Sequence, residues 1–227
     1  MGEKINILIR TCKRPNYFKN CIGSIVFQNY DNINIVIGIE SGDNETLSYV
    51  AEVLSHVENL TSKIVFYEKQ TIEIPAPPDT DKLSYGKWFP YNKYLDILGD
   101  SIKDGWVIYI DDDDRLITNE SLMKIASNIK SESDLIFWRV NFINRLVPEV
   151  EYWKHLITGG VPICYHIAGG GFCFNSKYLK KINWGYWTLG DYRVVTELFS
   201  LCDKKKFINE PLTGIQNTPG LGLRNDL

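Results

Sequence analysis

Residues Asp111 to Asp114, in "VIYIDDDDRLIT", place four carboxylates in a row. Adjacent like charges repel, and each needs water, a donor or a cation to stay ionised. Mg²⁺ and Mn²⁺ favour carboxylate oxygens and usually keep positions for water and substrate phosphate. A divalent metal carrying a phosphorylated ligand is therefore the chemistry this run suits. The competing reading is a solvated acidic turn, with Asp114 or Thr118 capping the next helix.

Position favours the ligand. Val107 to Ile110 are β-branched or aromatic and bounded by Gly105 and the acids, which predicts a short central strand. In open α/β sheets ligands bind at the carboxyl ends of strands.

The surrounding elements support that placement. "KINILIRT" reads as a strand, Pro15 opens a helix over "YFKNCIGSIVFQNY", and "INIVIGIES" is a second near-continuous apolar strand. "ESGDNET" is a turn with Asp43 or Asn44 as helix cap, followed by a helix over "TLSYVAEVLSHVENL" and a strand "SKIVFYEK". This β-α-β-α-β alternation with two-sided apolar strands predicts an α/β fold: a mostly parallel sheet flanked by helices. The proline-rich "TIEIPAPPDTDKLSYGKWFP" is a long loop of the kind that carries function. A helix over "PYNKYLDILGDSI", one over "NESLMKIASNIK" and a strand "SDLIFWRVNFI" follow, and beyond about residue 145 glycine and aromatics loosen the alternation.

A chain of 227 residues that is 44% hydrophobic can bury a sizeable core, and its net charge of −3 argues against nucleic acid as a partner. Five cysteines without a C-x-x-C pair suit free thiols and argue against zinc. With neither a signal peptide nor a transmembrane stretch legible, the expected location is cytoplasmic.

The order of these motifs resembles GT-A glycosyltransferases, closest to the family 2-like group. The matching features are Thr11 with Arg14-Pro15, "ESGDNE", a helix containing Asn92, the "DDDD" standing for D-x-D, "AGGGFCF" and "GDYRVVTEL". The resemblance implies one GT-A domain over 1–227, with a Rossmann-like nucleotide-binding half to about residue 115 and a smaller acceptor half with a C-terminal lid beyond it. It implies transfer of a sugar from a nucleotide diphosphate sugar, UDP being the commonest, to a hydroxyl of a glycan, glycoprotein or lipid-linked acceptor.

Carried over residue by residue, the resemblance puts Thr11, Arg14, Glu40 and Asp43 around the nucleoside, although the family usually has Asp where Glu40 stands. It puts Lys87 and Asn92 among donor-binding side chains. Both Asp111-x-Asp113 and Asp112-x-Asp114 satisfy D-x-D; the family pattern sets Asp111 toward ribose, beside Asp112, and Asp113 on Mn²⁺ or Mg²⁺, with Asp111 sharing the metal site. Inverting transfer needs a carboxylate to take the acceptor proton, and Asp191 occupies the place of the family's catalytic acid, where Gly190 replaces the usual Glu. Glu197 is the fallback, and a helix cap is the bland role for Asp191.

Trp184, Tyr186 and Trp187 offer flat faces for an acceptor sugar, while Gly169, Gly170 and Gly171 let backbone approach the donor. Core packing and a tight turn are the plain alternatives. His155 and His166 lack ligand spacing, and Arg224 is a phosphate contact if the tail folds over. The rival functions are a haloacid-dehalogenase-type phosphatase with Asp111 as nucleophile, a nucleotidyltransferase, and a catalytically inactive sugar-binding domain.

Overall fold

The structure is a computed structural model, and it describes residues 2–11, 14–40, 42–55, 61–67 and 89–216. Strand β1 (Ile5–Thr11), helix α1 (Pro15–Val26), β2 (Ile33–Glu40), α2 (Asn44–Ser55) and β3 (Thr61–Tyr67) form the expected alternation. After them come α3 (Lys93–Asp100), β4 (Trp106–Asp111), β5 (Asp114–Leu116), α4 (Ser121–Asn128), β6 (Asp134–Phe142) and β7 (Arg145–Val147). The last elements are α5 (Val150–Ile157), β8 (Phe172–Asn175), α6 (Gly190–Leu201) and β9 (Lys204–Ile215).

All strands join one sheet in the order β3-β2-β1-β4-β8-β6-β9-β5, with β7 on β6. The β3-β2-β1-β4 part is parallel, and β8 runs antiparallel to both its neighbours, β4 and β6. Two-sided burial follows from strand alternation. Ile7 and Ile9 pack with Phe18 and Ile22 of α1, while Leu8 points the other way toward Leu95 and Leu98 of α3 and Val194 of α6. Pro15 opens α1 as expected, at a position whose N–H has no helical partner anyway.

The chain runs outward from β1 through β2 to β3, then returns to place β4 on β1's other side. Sheet order therefore reverses between β1 and β4. Crevices for ligands open at such a switch point, outside the carboxyl ends of the strands. Arg10 and Asp111 are partners in the register there.

One local expectation is corrected, and one competing reading falls. The helix expected over residues 17–30 stops at Val26, because the Gln28 side chain is drawn inward: Nε2 donates to Ser24 and Thr118 carbonyls and Oε1 accepts from Leu122 N–H. Nor is the acidic run a solvated turn. Asp112 is fully buried and Asp114 is 7% exposed, the latter paired with Ile215 of β9, and α4 has no side-chain cap. Among the described residues no helix is long and apolar enough to cross a membrane.

Candidate active site

The carboxyl end of β4 divides its four acids by the pleat and by the turn that follows. Asp112 points inward. It accepts from Thr11 Oγ1 at 2.8 Å and from Arg14 Nε at 3.1 Å, with a second contact to Arg14 Nη2. Burial lifts the Asp112 carboxyl to about 6 against the pull of Arg14, and Arg14 reaches on to Asp113 at 3.1 Å. Thr11 and Arg14 thus pin the acidic turn to the end of β1 and the start of α1.

Asp111 is held by a different arginine. Arg10 Nε donates to its Oδ1 at 2.7 Å, Nη2 to Oδ2 at 3.3 Å, and Nη1 to Asn92 Oδ1 at 2.9 Å. Asn92 in turn donates through Nδ2 to the carbonyl of Trp187. Arg193 adds bonds from Nη1 to the Thr188 carbonyl at 2.6 Å and from Nη2 to the Trp184 and Trp187 carbonyls at 2.8 and 3.0 Å. The loop before α6 is therefore tied to both β1 and α6. Arg10 lay outside the sequence expectations, and the signal for it was a charge near the end of an otherwise apolar strand.

Two cavities open beside Asp111. The smaller, about 210 Å³, sits over the switch point between Arg10, Phe89, Asn92, Tyr109, Trp184 and Thr188. The larger, about 390 Å³, rests on β6 and β7 and carries Asp113 and Asp114 on its wall. Asp111, Gly169, Gly170, Leu189 and Asp191 border both. Asp191 sits in the first turn of α6, where its Oδ1 accepts from Tyr192 N–H at 2.8 Å; burial, with a further push from Asp111, lifts its carboxyl to about 6. The helix cap is Leu189, in the left-handed region at φ +63°, so the cap role considered for Asp191 does not apply.

No protein-family model matches the sequence, and no curated protein matches it either. Solved structures do match. S. aureus TarS, residues 1–349, superposes with a TM-score of 0.68 at 14% identity, over 94% of this chain and 60% of that one. The mannosyltransferase PcManGT from Pyrobaculum calidifontis, in complex with GDP-Man and Mn²⁺, gives 0.67 at 14% identity over 97% of this chain and 59% of that one. The chain has the GT-A fold. GalNAc-T7 with UDP, GalNAc and Mn²⁺ gives 0.64 at 13% identity, over 95% of this chain and 44% of that one. The chain thus spans about 60% or less of the length of these GT-A structures.

On this GT-A fold the expected site residues separate into groups. Asn92, Asp111, Asp113, Gly170, Trp184 and Asp191 border the two cavities. Asp112, Thr11 and Arg14 form the clamp beneath. Asp43 caps α2, its two oxygens taken by Thr46 N–H at 3.1 Å and Thr46 Oγ1 at 2.7 Å. Glu40 ends β2, with its side chain outside the described residues, as are Lys87 and Arg224. Trp184 is 4% exposed and packs its ring edge-on to Tyr109 at 4.8 Å, so it is a core residue whose rim shows in the smaller cavity. Tyr186 and Trp187 border neither cavity; the Tyr186 carbonyl accepts from Phe89 N–H at 2.6 Å. His166 stacks on Tyr152, His155 contacts the Val161 carbonyl, and Glu197 is exposed on α6 away from both cavities.

Glycine at 190 has a local cause. A Cβ there would lie 2.7 Å from Asn92 Nδ2 and 2.8 Å from the Trp184 ring. Gly170 is similarly confined, 3.2 Å from Asp114 Oδ2.

Among the described residues no three His, Cys, Asp or Glu side chains converge to hold a metal. The donor chemistry still fits one. Asp111 and Asp113 are partly exposed on the wall of the larger cavity, and burial together with Asp111 raises Asp113. Arg10 and Arg14 offset part of this charge, and carboxylates so placed suit a hard cation that takes one or two protein oxygens and completes its shell with water and phosphate.

Proposed function

We propose that the chain is a metal-dependent glycosyltransferase that moves a sugar from a nucleotide diphosphate sugar to a hydroxyl acceptor, with inversion by single displacement. The observation that carries this reading is the position of Asp191, on the wall shared by two cavities, one over the nucleotide-type switch point and one on the opposite half of the sheet.

In this reading the donor lies across the ends of β1 and β4, with Arg10, Asn92 and Asp111 around its ribose and sugar. Asp191 takes the proton of the acceptor hydroxyl as its oxygen bonds to the anomeric carbon, and the bond to the diphosphate oxygen breaks with its electron pair leaving on phosphate. A base near pH 6 serves such a step at neutral pH. Asp111 and Asp113 would hold Mn²⁺ or Mg²⁺, which when bound supplies charge neutralisation for the leaving diphosphate. The donor nucleotides seen with TarS (UDP, UDP-GlcNAc), PcManGT (GDP-Man) and GalNAc-T7 (UDP) belong to those proteins, and they favour UDP or GDP sugars as the first to try here. The phosphatase alternative wants its nucleophile at the end of the chain's first strand, whereas Asp111 ends β4.

The test is calorimetric titration of UDP, GDP and dTDP, each with Mn²⁺ and with chelator. Metal-dependent binding of one diphosphate is the expected outcome. Binding of none, or binding that ignores the chelator, would sink the reading.

A further inference from the structure

The larger cavity has a wall that the donor does not explain. Its outer side is built by Phe142, Arg145, Val147, Tyr165 and Ile167, from the β6–β7 hairpin and the segment that follows α5. Eight large apolar side chains are exposed among the described residues, and six of them fall between residues 143 and 165. Ile143 is 45% exposed, Val161 66% and Tyr165 73%. The loop carrying Val161 folds against α5 through the His155 contact, and the next residues reach the cavity through Tyr165 and Ile167. Soluble proteins seldom concentrate exposed apolar groups without a partner for them.

A second observation falls in the same place. Among the described residues three non-glycine residues have positive φ: Ile143 at 58°, Tyr165 at 67° and Leu189 at 63°. Tyr165 and Leu189 line the larger cavity, and Ile143 stands between two residues that do. Bulky side chains pay to adopt this conformation, and such costs collect at binding sites.

Charge decides what kind of group the wall receives. Among the described residues Arg145 is the one basic side chain on it, and Glu149 pairs with it at 3.1 Å. Among the described residues an anionic ligand meets no cation there outside that pair, whereas an apolar one meets Val147, Tyr165 and Ile167.

Resting on the glycosyltransferase reading above, we propose that the larger cavity admits the acceptor hydroxyl to Asp191, and that the acceptor carries an apolar aglycone lying along Tyr165, Ile163 and Val161. The site thus selects a lipid-type acceptor by contact with its hydrocarbon.

The experiment titrates n-octyl β-D-glucoside, below its critical micelle concentration, and methyl β-D-glucoside into the full chain, following intrinsic fluorescence. The octyl compound is expected to bind at least tenfold more tightly. In the double variant Val161→Ser, Tyr165→Asn the preference should drop below threefold, asparagine being tolerant of positive φ, while Phe27→Ser, at the exposed end of α1, leaves it intact. Equal binding of the two glucosides, binding of neither, or a preference that survives the double variant overturns the proposal. Nucleoside diphosphate titration of the same double variant separates this outcome from the parent reading. Unchanged donor affinity beside a lost octyl preference locates the effect in the acceptor wall, whereas absence of donor binding in the unmodified chain counts against the transferase itself.

Discussion

Arg10 and Asp111 face each other across the register of β1 and β4, and the guanidinium grips the carboxylate through two nitrogens at 2.7 and 3.3 Å. The pair sits where sheet order reverses, and the same guanidinium reaches Asn92. One planar fork therefore sets the direction of two side chains that border the smaller cavity.

Replacing Arg10 by Met should weaken nucleoside diphosphate binding about tenfold, the effect of losing roughly 1.4 kcal/mol of positioning. Arg10→Lys should recover little of it, because an ammonium cannot reproduce the fork. Calorimetry with Mn²⁺ checks both, and full recovery in the lysine variant would show that charge alone matters.

Arg14 answers to a different demand. Asp112 is fully buried with Arg14 and Thr11 as its partners, and removal of one member of a buried ion pair leaves a costly uncompensated charge. Arg14→Met should destabilise the fold by about 3 kcal/mol at pH 7. Adding Asp112→Asn should restore much of that loss, since the charge that needed Arg14 is gone. Lowering the pH to 5 should also shrink the penalty in the single variant, because protonation of Asp112 removes the same charge. Denaturant unfolding of the four forms of the cycle measures the coupling, and additive losses would mean that the pair is not one unit.

Much of this architecture is legible in one dimension. Runs such as Ile5 to Ile9 and Val107 to Ile110 declare two-sided strands because their burial is local to the strand. The end of β4 as a ligand edge follows from that alone. What is not legible depends on which distant segment arrives. Arg10 meets Asp111 across 101 residues, so its role waits on the strand register. Trp184 and Tyr165 are both aromatics of the second half of the chain, yet one packs on Tyr109 while the other stands 73% exposed at the cavity, and nothing in their spacing separates them. Asp112 and Asp113 are neighbours of one type, and only the turn geometry sends one inward.

Gly190 is a small-residue requirement that the helix alone would not predict. Alanine in a first helical turn normally costs nothing and often stabilises. Here its Cβ would meet Asn92 Nδ2 at 2.7 Å and the Trp184 ring at 2.8 Å. Gly190→Ala should therefore lower stability by about 1 to 3 kcal/mol and, by displacing Asn92, weaken donor binding as well. Asn92→Ala in the same chain should relieve part of the stability loss without restoring donor affinity. Thermal unfolding would contradict the packing account if Gly190→Ala raised the melting temperature.

Asp191 couples function to stability with opposite signs. Its carboxyl is lifted from an ordinary 3.8 to about 6, so the folded chain holds a proton there that the unfolded chain has lost between those values. Stability from this group is full below about pH 4 and declines as pH rises through 6, leaving a cost of at most roughly 3 kcal/mol at pH 7. Asp191→Asn removes the cost while keeping an oxygen for Tyr192 N–H. The variant should gain about 1 to 2 kcal/mol at pH 7, a few degrees in melting temperature for a chain of this size, and almost nothing near pH 4. Under the proposed function the same substitution should abolish transfer while leaving nucleoside diphosphate affinity within about twofold, since the proposed donor contacts lie mainly at the ends of β1 and β4. Under the proposed function, kcat of the unmodified chain should fall as pH drops through 6, where Asp191 becomes protonated. A variant that is stabilised at pH 7 yet still turns over at the original rate would leave Asp191 as a buried acid only, and the base would then have to be sought elsewhere on the shared wall, with Asp111 first.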